Sequence, residues 1–342
     1  MTVAIVTHPA LAAHDTGDHP ERAARWERTD ARLAALGLPR IEPAPIAADA
    51  LARVHPVAHG ERIKAFCEGG GGRLDDDTVA CPASYDVALL SAGAAIAAVD
   101  RVATGQDRTA VALCRPPGHH ALADQTMGFC FFNNAALAAR HAQQAYGLQR
   151  VVILDWDLHH GNGTEAIFYD DPSVLYLSTH QHPNWPGSGA PADVGTGLGT
   201  GFNVNVQLPI GTGDAGYLHT MQEVFAPVVA AFKPELIIIS AGYDAHWRDP
   251  LGRMGLTVAG FAALTREAQG WADRLCGGKL VALMEGGYDL EALAASMLAT
   301  VQVLAGVEVA DLLGPSPYHE PKAEVERAIR RTLQAIKPYW PN

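Results

Sequence analysis

The sequence predicts a parallel α/β fold, a central sheet with helices on both faces. Three observations carry that expectation. Short β-branched runs recur along the chain, Ala- and Leu-rich stretches of helical spacing alternate with them, and the chemistry-bearing residues gather just after the runs. A run that is apolar at nearly every position is how a strand buried on both faces reads. Alternation of such strands with helices favours parallel pairing through right-handed crossovers.

The first run, residues 2–6, opens the sheet. A helix over 87–102 leads to the run at 110–113, and a helix over 135–146 separates that from the run at 151–155. Runs at 174–178 and 204–208 come next, then a helix over 218–231 and the strongly apolar run 236–240. Helices over 258–275 and 290–304 flank the last run, 280–284. Residues 307–317 form a weak closing segment, after which 323–336 (AEVERAIRRTLQAI) repeat apolar residues at helical spacing and should dock on the body. The expected organisation is a single domain over 1–320, with 321–342 carrying a helix packed on it. The glycine run at 69–72 reads as a loop, because no Lys-Ser/Thr comes after it to make a phosphate cradle. GTGLGTG at 195–201 precedes a strand, whereas a dinucleotide fingerprint comes after one.

Composition narrows the function classes. The 342 residues are 48% hydrophobic and 18% charged, which excludes disorder and allows a large core. No apolar run approaches the roughly 20 residues of a membrane span, and Met1 to His8 lack a secretory pattern, so a cytoplasmic location is expected. Twenty-five Lys and Arg stand against 37 Asp and Glu, a net charge of −12. Such a surface repels a phosphate backbone, so direct nucleic-acid binding is not expected, while cationic substrates such as lysine-rich protein or polyamines are attracted. Five cysteines without a CxxC indicate neither a disulfide framework nor a zinc ribbon. Cys114 and Cys130 read as small buried hydrophobes.

The residues just after the strands point to chemistry. RPPGHH ends in His119 and His120; DWDLHHGNG carries Asp155, Asp157, His159 and Asn162; AGYDAH carries Asp244; EGGYD carries Tyr288. The crevice outside the carboxyl ends of parallel strands is where open α/β sheets bind ligands. Asp157 and His159, one residue apart, can turn the same way, and Asp244 can complete a three-ligand set that leaves positions free for water and substrate. A two-manganese site would need a further acid two residues beyond His159, where Gly161 stands. Two adjacent imidazoles cannot both be comfortably cationic, so one can act as base while the other stabilises charge; Asp155 and Asn162 are available to set their tautomers. With Tyr288 as a phenol donor, the set reads as amide hydrolysis.

These segments, with GFCFFNN and ISAGYDAHWRDPLG, resemble the zinc-dependent histone deacetylase superfamily, which also holds acetylpolyamine amidohydrolases and bacterial histone deacetylase-like amidohydrolases. The likeness runs from His19 to about Val307, and Asn162 and DPLG look class II-like. It implies the arginase/deacetylase fold, an eight-stranded parallel sheet flanked by helices in a single domain. It implies one zinc ion per chain held by Asp157, His159 and Asp244, with His120 as general base and acid and His119 as its electrostatic partner. Asp155 and Asn162 would support those imidazoles, and Tyr288 would polarise the acyl carbonyl. Gly128 and Phe129 match one channel wall and Trp185 the facing one, where the family usually has Phe. Arg22 matches an arginine lining the inner cavity through which acetate leaves. Asp155 and Ser178 match side chains of a potassium site. Asp77, with Asp76 as the alternative, is the expected rim acid.

The resemblance implies acyl-lysine on protein or peptide, or an acetylated polyamine, as substrate. Polyamine-selective relatives place a Glu straight after the Asp-Pro, where this chain has Leu251. A neutral residue there favours acyl-lysine. A catalytically inactive acyl-lysine binding module is the competing class; it could dispense with Tyr288 or a ligand, yet all are present.

Overall fold

The computed structural model describes residues 2–340. Its strands are β1 (Val3–Val6), β2 (Arg40–Ile41), β3 (Gly72–Arg73), β4 (Val79–Ala80), β5 (Thr109–Ala112), β6 (Val151–Asp155), β7 (Val174–His182), β8 (Asn203–Pro209), β9 (Leu236–Ala241) and β10 (Leu280–Met284). Eight form one sheet in the order β2-β1-β5-β10-β9-β6-β7-β8, parallel at every pairing. β3 and β4 make a separate antiparallel hairpin. The period of two sorts the apolar side chains between two cores. Val3 and Ile5 of β1 join one buried cluster, Ala4 and Val6 the other, and Val152 and Leu154 part from Val151 and Ile153 in the same way.

The helices are α1 (Ala23–Ala34), α2 (Ala48–Leu51), α3 (Val57–Glu68), α4 (Ser84–Ala103), α5 (Asn134–Tyr146), α6 (Asn162–Phe168), α7 (Asp214–Thr220), α8 (Ala226–Phe232), α9 (Val258–Leu275), α10 (Leu290–Ala305) and α11 (Lys322–Ile336). α1 and α7 to α11 pack on the first face; α2, α3, α5, α6 and most of α4 pack on the second. Their ends obey local chemistry. Asn133 caps α5 by accepting the Ala136 N–H at 2.9 Å, and Gly147, at φ 67°, ends it. Asp289 caps α10 by accepting the N–H groups of Glu291 and Ala292 at 3.1 and 2.9 Å. None of the described helices is long and apolar enough to cross a membrane.

Several predicted boundaries shift. The eighth strand of the sheet is β2, two residues at an edge with no apolar run to announce it. β7 continues through Thr179–His182, polar residues that are buried up to Gln181 and so carry no strand-like composition. The predicted 218–231 helix is α7 and α8 joined by a wider π turn, Met221–Phe225, just before Pro227, whose missing N–H breaks the regular ladder. The glycine run at 69–72, expected as a loop, ends inside β3. α11 lies along the edge strand β8, and Thr332 Oγ1 donates to the Asn205 carbonyl at 2.7 Å. Positions 1, 341 and 342 of the expected spans 1–320 and 321–342 lie outside the described residues. Cys114 and Cys130 are fully buried.

One buried imidazole sets an acid limit on the fold. His55 Nε2 accepts the Asn133 N–H at 2.9 Å and its Nδ1–H donates to the Ala123 carbonyl at 2.9 Å, so both ring nitrogens are committed to the neutral form. Burial pushes it down to about 4. The unfolded chain therefore binds this proton first, near pH 6.5, and stability present above that pH is lost as pH falls through about 4. The loss attributable to His55 is on the order of 3 kcal/mol. Urea unfolding at pH 7 and pH 4 measures it; a His55→Gln variant should lose less over the same interval.

Candidate metal centre and channel

β6 ends at Asp155, and the chain beyond it is turned by its own acids. Asp155 Oδ1 accepts the Asp157 N–H at 3.1 Å, and Asp157 Oδ1 accepts the His159 N–H at 2.8 Å. These two successive Asx turns throw Asp157 and His159 to the same side. Asp244 arrives from the end of β9, and its Oδ1 accepts the Leu158 N–H at 2.9 Å, pinning the two strand ends together. One ligand atom from each of Asp157, His159 and Asp244 lies within 4.8 Å of the others. His159 Nδ1 stands 3.1 Å from Asp244 Oδ2 and 3.3 Å from Asp157 Oδ1.

The donor set fits a divalent cation. Both acids are fully buried. Burial and the Asp157 charge push the Asp244 carboxyl up, whereas Asp157 is held well below the usual carboxylate range, with burial opposing and His119 and His159 prevailing. Two desolvated carboxylates this close require positive charge between them. The backbone leaves room for it: a Cβ at Gly242 would overlap the Asp157 carboxylate, and one at Gly286 would overlap Asp244 Oδ2. The Gly286 N–H donates to Asp157 Oδ2 at 2.8 Å. A Cβ at Gly161 would overlap Asp155 Oδ2 and the Tyr176 hydroxyl, so the position has no space for a second metal's ligand.

The histidine pair leaves β5 through a turn fixed from outside. Glu285 Oε2 accepts the N–H groups of Gly118 and His119 at 2.7 and 3.2 Å. The two rings lie 3.9 Å apart. His119 Nδ1 meets Asp155 Oδ2 at 3.1 Å, and His120 Nδ1 meets Asn162 Oδ1 at 2.8 Å. These unlike partners split the pair. Burial alone would depress His119, but Asp157 and Asp155 raise it to about 10. His120 is lowered well below its ordinary value by burial and by the charges on His119 and His159.

A cavity of about 260 Å³ leads to this centre, lined by Asp77, Phe129, Asn184, Trp185, Leu251 and Tyr288 together with His120, Gly128 and His159. Trp185 stands edge-on to His120 at 4.7 Å, and Phe129 edge-on to Tyr288 at 5.8 Å. Gly128 and Phe129 both have positive φ, 57° and 68°. The hairpin β3–β4 holds that unusual wall: Asp77 Oδ1 accepts the Gly128 N–H at 3.2 Å, and Thr78 Oγ1 accepts the Phe129 N–H at 3.1 Å. Asp77 therefore lines the cavity; its neighbour Asp76 is exposed and Asp75 caps the turn. Trp185 and Leu251 stay 40% and 38% exposed, at the mouth.

Arg22 requires correction. It is exposed at the N-cap of α1 and makes no capping bond. The inward arginine is Arg25, fully buried, with its guanidinium 4.9 Å from the Tyr288 ring centre. Arg25 donates to the Gly287 carbonyl at 2.6 Å, to the Glu285 carbonyl and to Glu21 Oε1 at 3.1 Å. The helical period carries the signal, since Arg25, Trp26, Thr29 and Leu33 form the buried stripe of α1. Ser178 pairs with Asp155 in register across β6 and β7, and its Oγ contacts His180 Nδ1 at 3.0 Å. Sequence reasoning misses Glu285 and Asn184. Glu285 stands inside MEGGYD, where the motif marks it, whereas no motif marks Asn184.

Comparison with known proteins agrees on one family. The profile described as Histone deacetylase domain matches residues 19–304. A histone deacetylase-like amidohydrolase of Pseudomonas aeruginosa is 43% identical over 310 residues, 89% of this chain and 80% of that protein. The polyamine deacetylase HDAC10 of Mus musculus is 46% identical over 265 residues, 76% of this chain but 39% of that longer protein. The crystal structure of the HDA15 HD domain aligns with a TM-score of 0.89 at 36% identity, covering 99% of this chain and 95% of the other.

Proposed function

This chain belongs to the histone deacetylase family and is an enzymatic deacetylase; from that premise we propose that it hydrolyses the amide of N-acyl-lysine on a protein or peptide, with zinc held by Asp157, His159 and Asp244. The observation that carries the reading is the joining of a buried two-acid, one-imidazole cage to a cavity walled by Phe129, Trp185 and Tyr288. Zinc in such a cage supplies Lewis acidity toward water and an amide carbonyl.

The chain's own groups divide the remaining work. Asn162 Oδ1 takes the Nδ1–H of His120, which leaves the His120 Nε2 lone pair free on the cavity side to accept a proton and later return it to the leaving amine. His119 keeps its proton against Asp155 and contributes positive charge beside that exchange. Tyr288, whose phenol is held protonated by burial, donates to the carbonyl oxygen as negative charge develops there. Phe129 and Trp185 exclude water from the aliphatic stem of the substrate, and Arg25 marks the inner side. Asp155 and Ser178, neighbours in register, are the side chains that would hold a potassium ion.

Acetylated polyamine is the second reading, supported by the 46% identity to a polyamine deacetylase and by the net charge of −12. Leu251 at the mouth argues against it, since it offers no charge to a distal ammonium. Parallel turnover of an acetyl-lysine peptide, a longer acyl-lysine peptide and acetylputrescine decides. The acetyl-lysine peptide is expected to exceed acetylputrescine in kcat/KM by about tenfold or more, a difference of about 1.4 kcal/mol in transition-state binding. The reverse order establishes the polyamine reading, and zinc binding without turnover of any of the three establishes a binding module.

A further inference from the structure

Tyr288 stands on a segment with little stiffness of its own. Two glycines precede it, and Gly287 has φ +117°. Among the described residues no group hydrogen-bonds to the Tyr288 hydroxyl, and the ring is bounded by the edge of Phe129 and the Arg25 guanidinium. The phenol is therefore placed by its backbone. Arg25 grips that backbone through the carbonyls of Glu285 and Gly287. On the other side stands Asp249, 5% exposed, whose Oδ2 accepts the N–H of Tyr288 at 2.6 Å and of Asp289 at 3.2 Å. Its Oδ1 accepts the Leu251 N–H at 3.0 Å, and Leu251 lines the channel mouth.

We infer that Asp249 is a positioning residue for the proposed hydrolysis: one carboxylate fixes where the Tyr288 phenol stands and ties it to the Leu251 wall. The inference rests on the reading of Tyr288 as the oxyanion donor. Three N–H groups converge on two oxygens, so the site suits an acceptor-only side chain. An asparagine of the same shape must turn its NH₂ toward at least one of those donors. Asp289 adds rigidity beyond the contact, because it caps α10 and commits the backbone after it to helix. A displacement of about 1 Å at the phenol is enough to lower a rate by about 10²-fold.

A double-mutant cycle separates positioning from general support of the fold. Asp249→Asn should lower kcat by about 10- to 100-fold with KM and metal content little changed. Within a Tyr288→Phe background, where the phenol hydroxyl is already gone, the same substitution should lower kcat by less than about threefold. An equal fall in both backgrounds overturns the inference, as does no fall in the wild-type background. Site-specific 3-fluorotyrosine at position 288 gives a readout free of turnover. Its ¹⁹F resonance should shift or split in Asp249→Asn, and an unchanged resonance also overturns the inference. A wild-type protein that hydrolyses no acylated amine sinks the function reading alone, and the ¹⁹F comparison then still decides the role of Asp249. Should Asp249→Asn not fold by circular dichroism, Asp249→Ser, whose single oxygen cannot hold all three N–H groups, is read by the same criteria.

Discussion

Replacing Tyr288 with phenylalanine is expected to lower kcat by about 10²–10³-fold while metal content and thermal stability stay near wild type. The magnitude is that of one preorganised oxyanion donor, about 2.7–4 kcal/mol. The structure makes this substitution unusually clean. The hydroxyl has no partner among the described residues, so its removal orphans no buried group, and Phe keeps the ring against Phe129 and Arg25. KM should move little, because the bond forms only as charge builds on the carbonyl oxygen. Steady-state kinetics on an acetyl-lysine peptide, with metal analysis of the same preparation, makes the measurement. Near-wild-type turnover removes Tyr288 from the mechanism.

Asp244→Ala is expected to abolish both metal retention and turnover. Loss of an outer partner of a metal ligand already weakens affinity by about 10–100-fold, and loss of a ligand should exceed that. The substitution also strips the Leu158 N–H of its acceptor, so some loss of stability accompanies it. Asp244→Asn separates the effects, since its amide oxygen can still serve Leu158 while the charge is gone. Zinc titration of both variants, with elemental analysis after dialysis, reads the outcome. Full zinc retention in Asp244→Ala means that the ligand set is wrong.

Much of the sheet and of the centre can be read directly from residues because both rest on local pattern. Fully apolar runs mark the central strands, and the topology of a parallel sheet brings their carboxyl ends to one mouth, so His119, His120, Asp157, His159, Asp244 and Tyr288 meet there. The features that escape are set by tertiary context. β2 is too short to have a pattern, and the polar end of β7 looks like a loop until its burial is known. Charged residues are ordinarily read as surface, yet Glu21, Arg25, Arg115 and Glu285 are wholly buried and hold one another or the backbone of the site. Motif position alone points to Arg22; the stripe on α1 turns that residue outward and Arg25 inward. The sequence leaves Asp76 as an alternative to Asp77 for the rim acid, and the hairpin shows that Asp77 is the one that lines the channel.

Gly242 and Gly286 carry a consequence for how homologous genes are sorted into active and inactive. Neither supplies a ligand atom, yet a single methyl at either would fill the space the cage's carboxylates occupy. A checklist of donors would pass a pseudoenzyme that kept Asp157, His159 and Asp244 but had gained alanine beside them. In this architecture the missing carbon is as diagnostic as the ligands it makes way for.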